Sequence, residues 1–403
     1  MAKTRNPVVG KLLEVLRTRK AASLDASPRG PTSSAKLREA QFSDFPGVKD
    51  LKTQMGLSPD NPENWHRLWR TNPALRFCRQ PLPIGWVMEA GGRIVGYLGN
   101  IALLYHFEGA ALIATVATAF AVEPAYRPSS VGLMASFYQQ KGVDLFLNTT
   151  AIPAVGEIAM ALGAHKLPQP DYDTVLFWVL KPYRFSTAVM KRFGIRPALA
   201  GLGGIAGAVA VTGESLARQR HPRVSTRNHA ISEIPLQEAG GEFDDLWRRK
   251  VSEPGRLLAD RRLETLRWHF EIPGSDRLNH ILCCRANGRL LGYVILRTQS
   301  DTRSGLQTSN VADLFVEGDD PEVTGEVLLA AFEKAKNLRS HVFEVLGFPD
   351  FVRRICSAWR PYSRTFPECP FYYRTSDCTL HKKLNSRDSW YAGPYDGDTT
   401  LAL

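Results

Sequence analysis

Residues 120–140 read Phe-Ala-Val-Glu-Pro-Ala-Tyr-Arg-Pro-Ser-Ser-Val-Gly-Leu and then a short apolar helix pattern. A strand-like run breaks at Pro124, passes Arg127 and two serines, and enters a helix beside Gly132. Proline ends a strand by removing a ladder donor. Serine is a preferred N-cap, which makes Ser129 and Ser130 candidate caps. Gly132 allows a backbone to approach a ligand closely. The amides of Ser130, Val131, Gly132 and Leu133 then fall in a first helical turn, whose unpaired N–H groups and dipole attract an anion such as a pyrophosphate. Arg127 adds a full positive charge at the same place. The plain alternative is a capped surface helix following a strand.

The elements that position this turn are found by comparing the chain with itself. Gly-Gly-Arg-Ile-Val-Gly-Tyr beginning at residue 91 matches Asn-Gly-Arg-Leu-Leu-Gly-Tyr beginning at residue 287. Each is a tight turn between two apolar runs, the signature of a hairpin. Upstream of each lies a tryptophan-containing helix, and downstream Phe-Ala-Val-Glu-Pro at 120–124 is answered by Leu-Phe-Val-Glu-Gly at 314–318. Four elements recurring in one order predict a duplicated α+β domain. The first copy is placed at 36–185, with strands at 37–43, 85–90, 93–104, 111–122, 144–149 and 174–181 and helices at 44–56, 62–70, 131–141 and 154–163. The second copy is placed at 231–385. A basic arm and linker (1–35), a helical Gly/Ala-rich insertion and linker (186–230) and a C-terminal arm (386–403) complete the domain reading.

The 403 residues exceed what one core usually organises, and 44% apolar with 23% charged residues is ordinary for a globular chain. A net charge of +11 favours acidic partners such as phosphorylated cofactors, nucleic acid or anionic membrane surfaces. Cysteines at 78, 283, 284, 356, 369 and 378 form no CxxC pair and have no histidine at ligand spacing, so neither a metal nor a disulfide framework is expected. A reducing cytoplasm fits this usage, with peripheral attachment at the inner membrane surface as the variant that the basic arm suggests. The uncharged stretch 197–213 is short and rich in Ala and Gly, and reads as a buried or interfacial helix pair rather than a span.

The order of strands, the Gly-turn hairpin and the pattern Val122-x-Pro124-x-x-Arg127-x-x-Ser130-x-Gly132 resemble the GNAT superfamily of acyl-CoA-dependent acyltransferases. The resemblance implies two GNAT-like domains in tandem, each a mixed, mostly antiparallel sheet flanked by helices, with a helical insertion between them. It implies acetyl-CoA or another acyl-CoA as co-substrate, with no metal. Arg127 and Gly132 match the first and last positions of the family's pyrophosphate turn, and Ser130 stands where its first glycine is usual. Val122, Arg127, Ser129, Ser130, Val131, Gly132 and Leu133 are then the cofactor-binding residues, the Val122 amide polarising the thioester carbonyl. The second copy carries Asp319, Asp320 and Glu322 where a pyrophosphate needs amides and positive charge, and reads as degenerate.

Acyl transfer to an amine or hydroxyl needs a base, an oxyanion donor and a proton for the departing thiolate. Many family members carry a glutamate inside the fourth strand, but this strand reads Ala-Leu-Ile-Ala-Thr-Val-Ala-Thr-Ala-Phe-Ala-Val. Glu123 at its end is the candidate base, Tyr138 on the following helix the candidate acid, and Asn148 at the next strand end the candidate contact to the thioester. Asp313 and Glu317 in the second copy are either cleft-lining or surface charges. The leading expectation is an N- or O-acyltransferase acting on a small-molecule, saccharide or peptide acceptor. The alternatives are an aminoacyl-tRNA-dependent transferase of the tandem-GNAT cell-wall type and a non-catalytic scaffold.

Overall fold

The computed structural model describes residues 34–192, 229–275, 277–366 and 370–401. Most of the N-terminal arm and of the Gly/Ala-rich insertion, the stretch 197–213 included, lies outside the described residues. In chain order the first elements are β1 (Lys36–Glu39), α1 (Phe45–Gln54), α2 (Pro62–Arg70), β2 (Gly85–Ala90), β3 (Arg93–Phe107), β4 (Ala110–Val122), α3 (Val131–Tyr138), β5 (Leu145–Asn148), α4 (Pro153–Ala161) and β6 (His165–Lys166). Then come β7 (Thr174–Val179), α5 (Pro182–Arg192), β8 (Ala230–Ile234), α6 (Glu242–Val251), β9 (Leu258–Ala259), α7 (Leu263–Phe270), β10 (Leu278–Ala286) and β11 (Arg289–Ser300). The chain closes with β12 (Gln307–Val316), α8 (Pro321–Asn337), β13 (Val342–Val345), α9 (Asp350–Ala358), β14 (Tyr362–Thr365), β15 (Tyr372–Arg374) and α10 (Cys378–Leu384).

The predicted repeat is structural. Gly91 and Gly92 turn β2 into β3 with φ of 56° and 74°, and Asn287 and Gly288 turn β10 into β11 with φ of 50° and 75°. Positive φ at both central residues is the geometry of a tight hairpin, and it explains the Gly and Asn there. The hairpins even share an irregularity, a register shift at Met88/Glu89 in one and at Cys284/Arg285 in the other. The strand expected over 37–43 is shorter, because Gln41 and Asp44 form a reciprocal capping box that turns the chain at residue 41.

Among the described residues the strands form two sheets, one ordered β1-β2-β3-β4-β5-β15-β6 with β9 beside β3, the other β14-β7-β13-β12-β11-β10-β8. Each is antiparallel except for one parallel pair, β4 with β5 and β12 with β13. The expectation that the strand at 174–181 completes the first copy's sheet is corrected. That strand is β7, and it pairs with β13 and β14 in the second sheet. In return β15, from the second half, pairs with β5 and β6 in the first. Alternation of apolar residues specifies that a segment is a strand and which face is buried, but not which edge it joins.

Two compact units follow from this exchange: 34–173, 243–275 and 370–401 form one, and 174–192, 229–242 and 277–366 form the other. In the first unit Trp86, Leu98, Leu133, Phe137, Phe146 and Val155 fill the space between sheet and helices. In the second, Val294, Leu314, Val327, Leu328 and Phe343 do the same. Gly156 lets α4 lie directly on β15, since a Cβ there would sit 2.5 Å from the Tyr372 hydroxyl.

Candidate functional site

The parallel pairing of β4 with β5 runs from Ala114 beside Leu145 to Ala117 beside Asn148 and stops there, while β4 continues to Val122. The strands part just where β4 bulges against β3: the register shifts between Tyr97 and Gly99, and Ala119 holds a φ of 53°. A non-glycine residue in this region is a local strain that the surrounding ladder must hold. Thr118, Ala119 and Phe120 are correspondingly half-exposed in a strand that is otherwise buried from Ile113 onward.

Beyond the bulge the Glu123 amide donates to Val95 O at 2.9 Å. Successive amides along a strand point to opposite edges. The Val122 amide therefore faces the edge that β5 has left.

The chain then forms a 3-10 turn over Pro124–Ser129 that runs directly into α3. This corrects the expected capping. Ser130 already has helical angles and its side chain makes no cap bond. Its amide donates to Arg127 O at 3.0 Å, and the Leu133 amide to Ser130 O at 3.1 Å. These two amides are therefore used within the turn, and Val131 and Gly132 are left as the outward donors of the first turn. Val131 is 46% exposed, and Arg127 and Ser129 are exposed beside it. A Cβ at Gly132 would come within 3.3 Å of Leu37, so a larger residue here would crowd that side chain.

The corresponding helix of the second unit starts differently. Asp320 caps α8, its Oδ1 accepting from the amides of Glu322 at 2.8 Å and Val323 at 3.2 Å. Asp313 is fully buried and accepts from the Tyr293 hydroxyl, and Glu317 pairs with Arg289.

The residues expected to do chemistry fare differently. Glu123 is ion-paired with Arg93, which donates from Nη1 at 3.1 Å. Tyr138 is buried, edge-on to Phe137 and Phe146, with the Arg374 guanidinium over its ring at 5.2 Å. Its hydroxyl has no hydrogen-bond partner among the described residues, and burial raises its pKa so that it keeps its proton. Asn148 is buried at the end of β5, paired across to Tyr372.

Sequence reasoning noted Asp396 and Asp398 in a C-terminal arm that packs on the body, but gave Asp398 no catalytic role. The segment 390–401 is core rather than an arm, buried at every position but Thr399. Asp398 Oδ1 accepts from Thr149 Oγ1 at 2.7 Å and Oδ2 from Thr150 Oγ1 at 2.9 Å, both just past β5. Thr118, in the bulge of β4, lies near enough to the same carboxylate to help hold its pKa down. Desolvation pushes that pKa up, against the neighbouring threonine hydroxyls, which pull it down. The only sequence signal was an aspartate pair in an aromatic tail, with nothing local to link it to residues 118 and 149.

Gly397 is the reason the segment can lie so close: a Cβ there would be 2.3 Å from Thr149 Oγ1 and 2.8 Å from Thr149 Cβ. A short β-branched side chain cannot swing clear. Gly397→Ala is expected to cost about 1–3 kcal/mol by overpacking, read as a lower urea midpoint, with Gly397→Ala/Thr149→Ser recovering part of it.

A parallel strand pair that parts at a bulge before a strand–turn–helix is the architecture of the GNAT fold, and this chain carries it in two sheets, the second with its helix capped by Asp320. Solved structures agree across most of the chain. A GCN5-related N-acetyltransferase from Anabaena variabilis superposes with a TM-score of 0.52 at 10% identity, over 85% of this chain and 73% of that one. A probable N-acyltransferase from Enterococcus faecalis gives 0.54 at 11%, over 85% and 73%. N-myristoyltransferase from Saccharomyces cerevisiae with bound myristoyl-CoA gives 0.51 at 11%, over 94% and 86%. No protein-family model and no curated protein matches the sequence. No helix among the described residues is long and apolar enough to cross a membrane.

Proposed function

We propose that the chain is an acyl-CoA-dependent acyltransferase whose working site is the splay between β4 and β5. The observation that carries this reading is Asp398, a buried carboxylate held by Thr149 and Thr150 where the strands part. The coenzyme pyrophosphate lies on the Val131 and Gly132 amides beside Arg127 and Ser129, with its thioester directed into the splay.

In this reading Asp398 takes the proton of the acceptor amine or hydroxyl, and its raised pKa makes it a stronger base than a solvated carboxylate. The freed lone pair attacks the thioester carbon, and the Val122 amide holds the oxyanion. The carbon–sulfur bond breaks, and the thiolate takes up the proton that Asp398 received, while Tyr138, buried and holding its own proton, is relieved of the acid role. Asn148 borders the thioester, and Glu123 is relieved of the base role by its pairing with Arg93. The second copy, with Asp320 closing its helix, binds no coenzyme.

Calorimetric titration of coenzyme A and of short and long acyl-CoAs tests the reading. One site per chain is expected. Arg127→Glu should weaken binding at least about tenfold with an unchanged melting temperature, since Arg127 is exposed. A folded wild type that binds none of these ligands overturns it.

A further inference from the structure

A cluster in the other unit lies outside all of this chemistry. His229 immediately precedes β8, Cys284 lies on β10 and Glu326 on α8. Pairing of β8 with β10 sets Ile231 opposite Cys284, which carries His229 to the same end of the sheet. The side chain of Cys284 joins the core layer with Val327 and Leu328, on the face that α8 covers. His229 Nδ1 lies 2.8 Å from Glu326 Oε2, and Cys284 Sγ lies 3.5 Å from the same oxygen. The three donor atoms are all within 4.8 Å of one another.

We propose that His229, Cys284 and Glu326 bind one divalent transition-metal ion, with zinc the best match to the donors. A mixed sulfur, nitrogen and oxygen set suits zinc, which takes each at roughly 2.0–2.3 Å in a tetrahedron, whereas magnesium and calcium demand oxygen alone. Donor atoms around such an ion stand roughly 3–4 Å apart, a spacing close to the 2.8 Å and 3.5 Å separations seen here.

A second observation is independent of that spacing. Glu326 is only 7% exposed, yet its Oε1 has no hydrogen-bond partner among the described residues. A buried carboxylate oxygen left unpaired is costly, and a cation beside it removes the cost.

Charge closes as well. The ion brings two positive charges, Glu326 and the Cys284 thiolate bring two negative, and the imidazole is neutral, so the loaded site is uncharged. Loading breaks the Cys284 S–H bond, forms a metal–sulfur bond and releases one proton to solvent. Three protein donors leave a fourth position for water or another ligand. The donors are too far apart along the chain for any ligand-spacing motif to reveal them.

The test uses the full chain, freed of metal by chelation and titrated with Co²⁺ and then Zn²⁺. Binding of one Co²⁺ per chain with a thiolate-to-cobalt charge-transfer band is expected, the band vanishing on addition of Zn²⁺ and unaffected by Mg²⁺. Cys284→Ser should abolish the band. His229→Gln, at a partly exposed position, should weaken cobalt affinity about tenfold or more, and keeps the test open should Cys284→Ser fail to fold. A folded wild type with no such band overturns the proposal. So does a band that survives Cys284→Ser and is lost in Cys78→Ser or Cys378→Ser, the more accessible thiols.

Discussion

Asp398→Asn is expected to lower kcat by about 10²–10⁴-fold while leaving the dissociation constant of coenzyme A unchanged. The amide keeps the shape and can still accept from Thr149 and Thr150, but it cannot take a proton. Two pH signatures separate a base from a merely structural residue. In the wild type kcat should fall as pH falls through the raised pKa of Asp398, because the protonated carboxyl is inactive. The residual rate of the variant should lack that limb. Stability moves the other way. The folded carboxyl titrates above the unfolded one, so the folded state holds the extra proton in between, and this group's contribution declines as pH rises through that window. Asn at this position has no such decline, so the melting temperature of the variant relative to the wild type should be higher at neutral pH than in acid. An Asn variant with wild-type kcat would remove Asp398 from the mechanism.

Asp396→Ala should produce the largest loss of stability, about 3–5 kcal/mol. Arg261 is 1% exposed and Asp396 2%, and Arg261 Nη2 donates to both carboxylate oxygens at 3.1 Å. The guanidinium also lies 4.4 Å from the centroid of the Tyr395 ring, and Asp396 Oδ2 accepts from the Gly393 amide at 2.7 Å. Truncating the aspartate removes a carboxylate with which this buried guanidinium is paired. Replacing the pair together, as Arg261→Met/Asp396→Leu, should cost less than Asp396→Ala alone, because no charge then remains to be desolvated. Urea denaturation of the two variants makes the comparison, and a double variant weaker than the single one would show that the ion pair is not what matters there. Since Asp396 is two residues from Asp398, its loss should also lower kcat in the fraction that stays folded.

These two aspartates show where reading a sequence stops. The hairpin turns at Gly91-Gly92 and Asn287-Gly288 were legible because positive φ restricts which residues can stand there. The turn after Val122 was legible because proline, arginine and glycine each do one local thing. The role of its serines was not: whether a serine caps a helix depends on the backbone before it, and here a 3-10 turn had already satisfied the Ser130 amide. Asp398 was invisible because its meaning lies in Thr118 and Thr149, which only tertiary folding brings near. The exchange of β7 and β15 was hidden for the same reason, since a strand's pattern names its faces and not its neighbours.

That exchange bears on how the molecule is made. β15 lies between β5 and β6, and β7 between β13 and β14, so each sheet has an interior place filled from the other half. During synthesis the N-terminal half emerges with β5 and β6 unable to join, and must wait for residues 372–374 before its sheet is continuous. The interval exposes two strand edges, the condition that invites aggregation. Expressing either half alone should therefore give insoluble chains, and mixing the halves during refolding should restore both sheets together or neither.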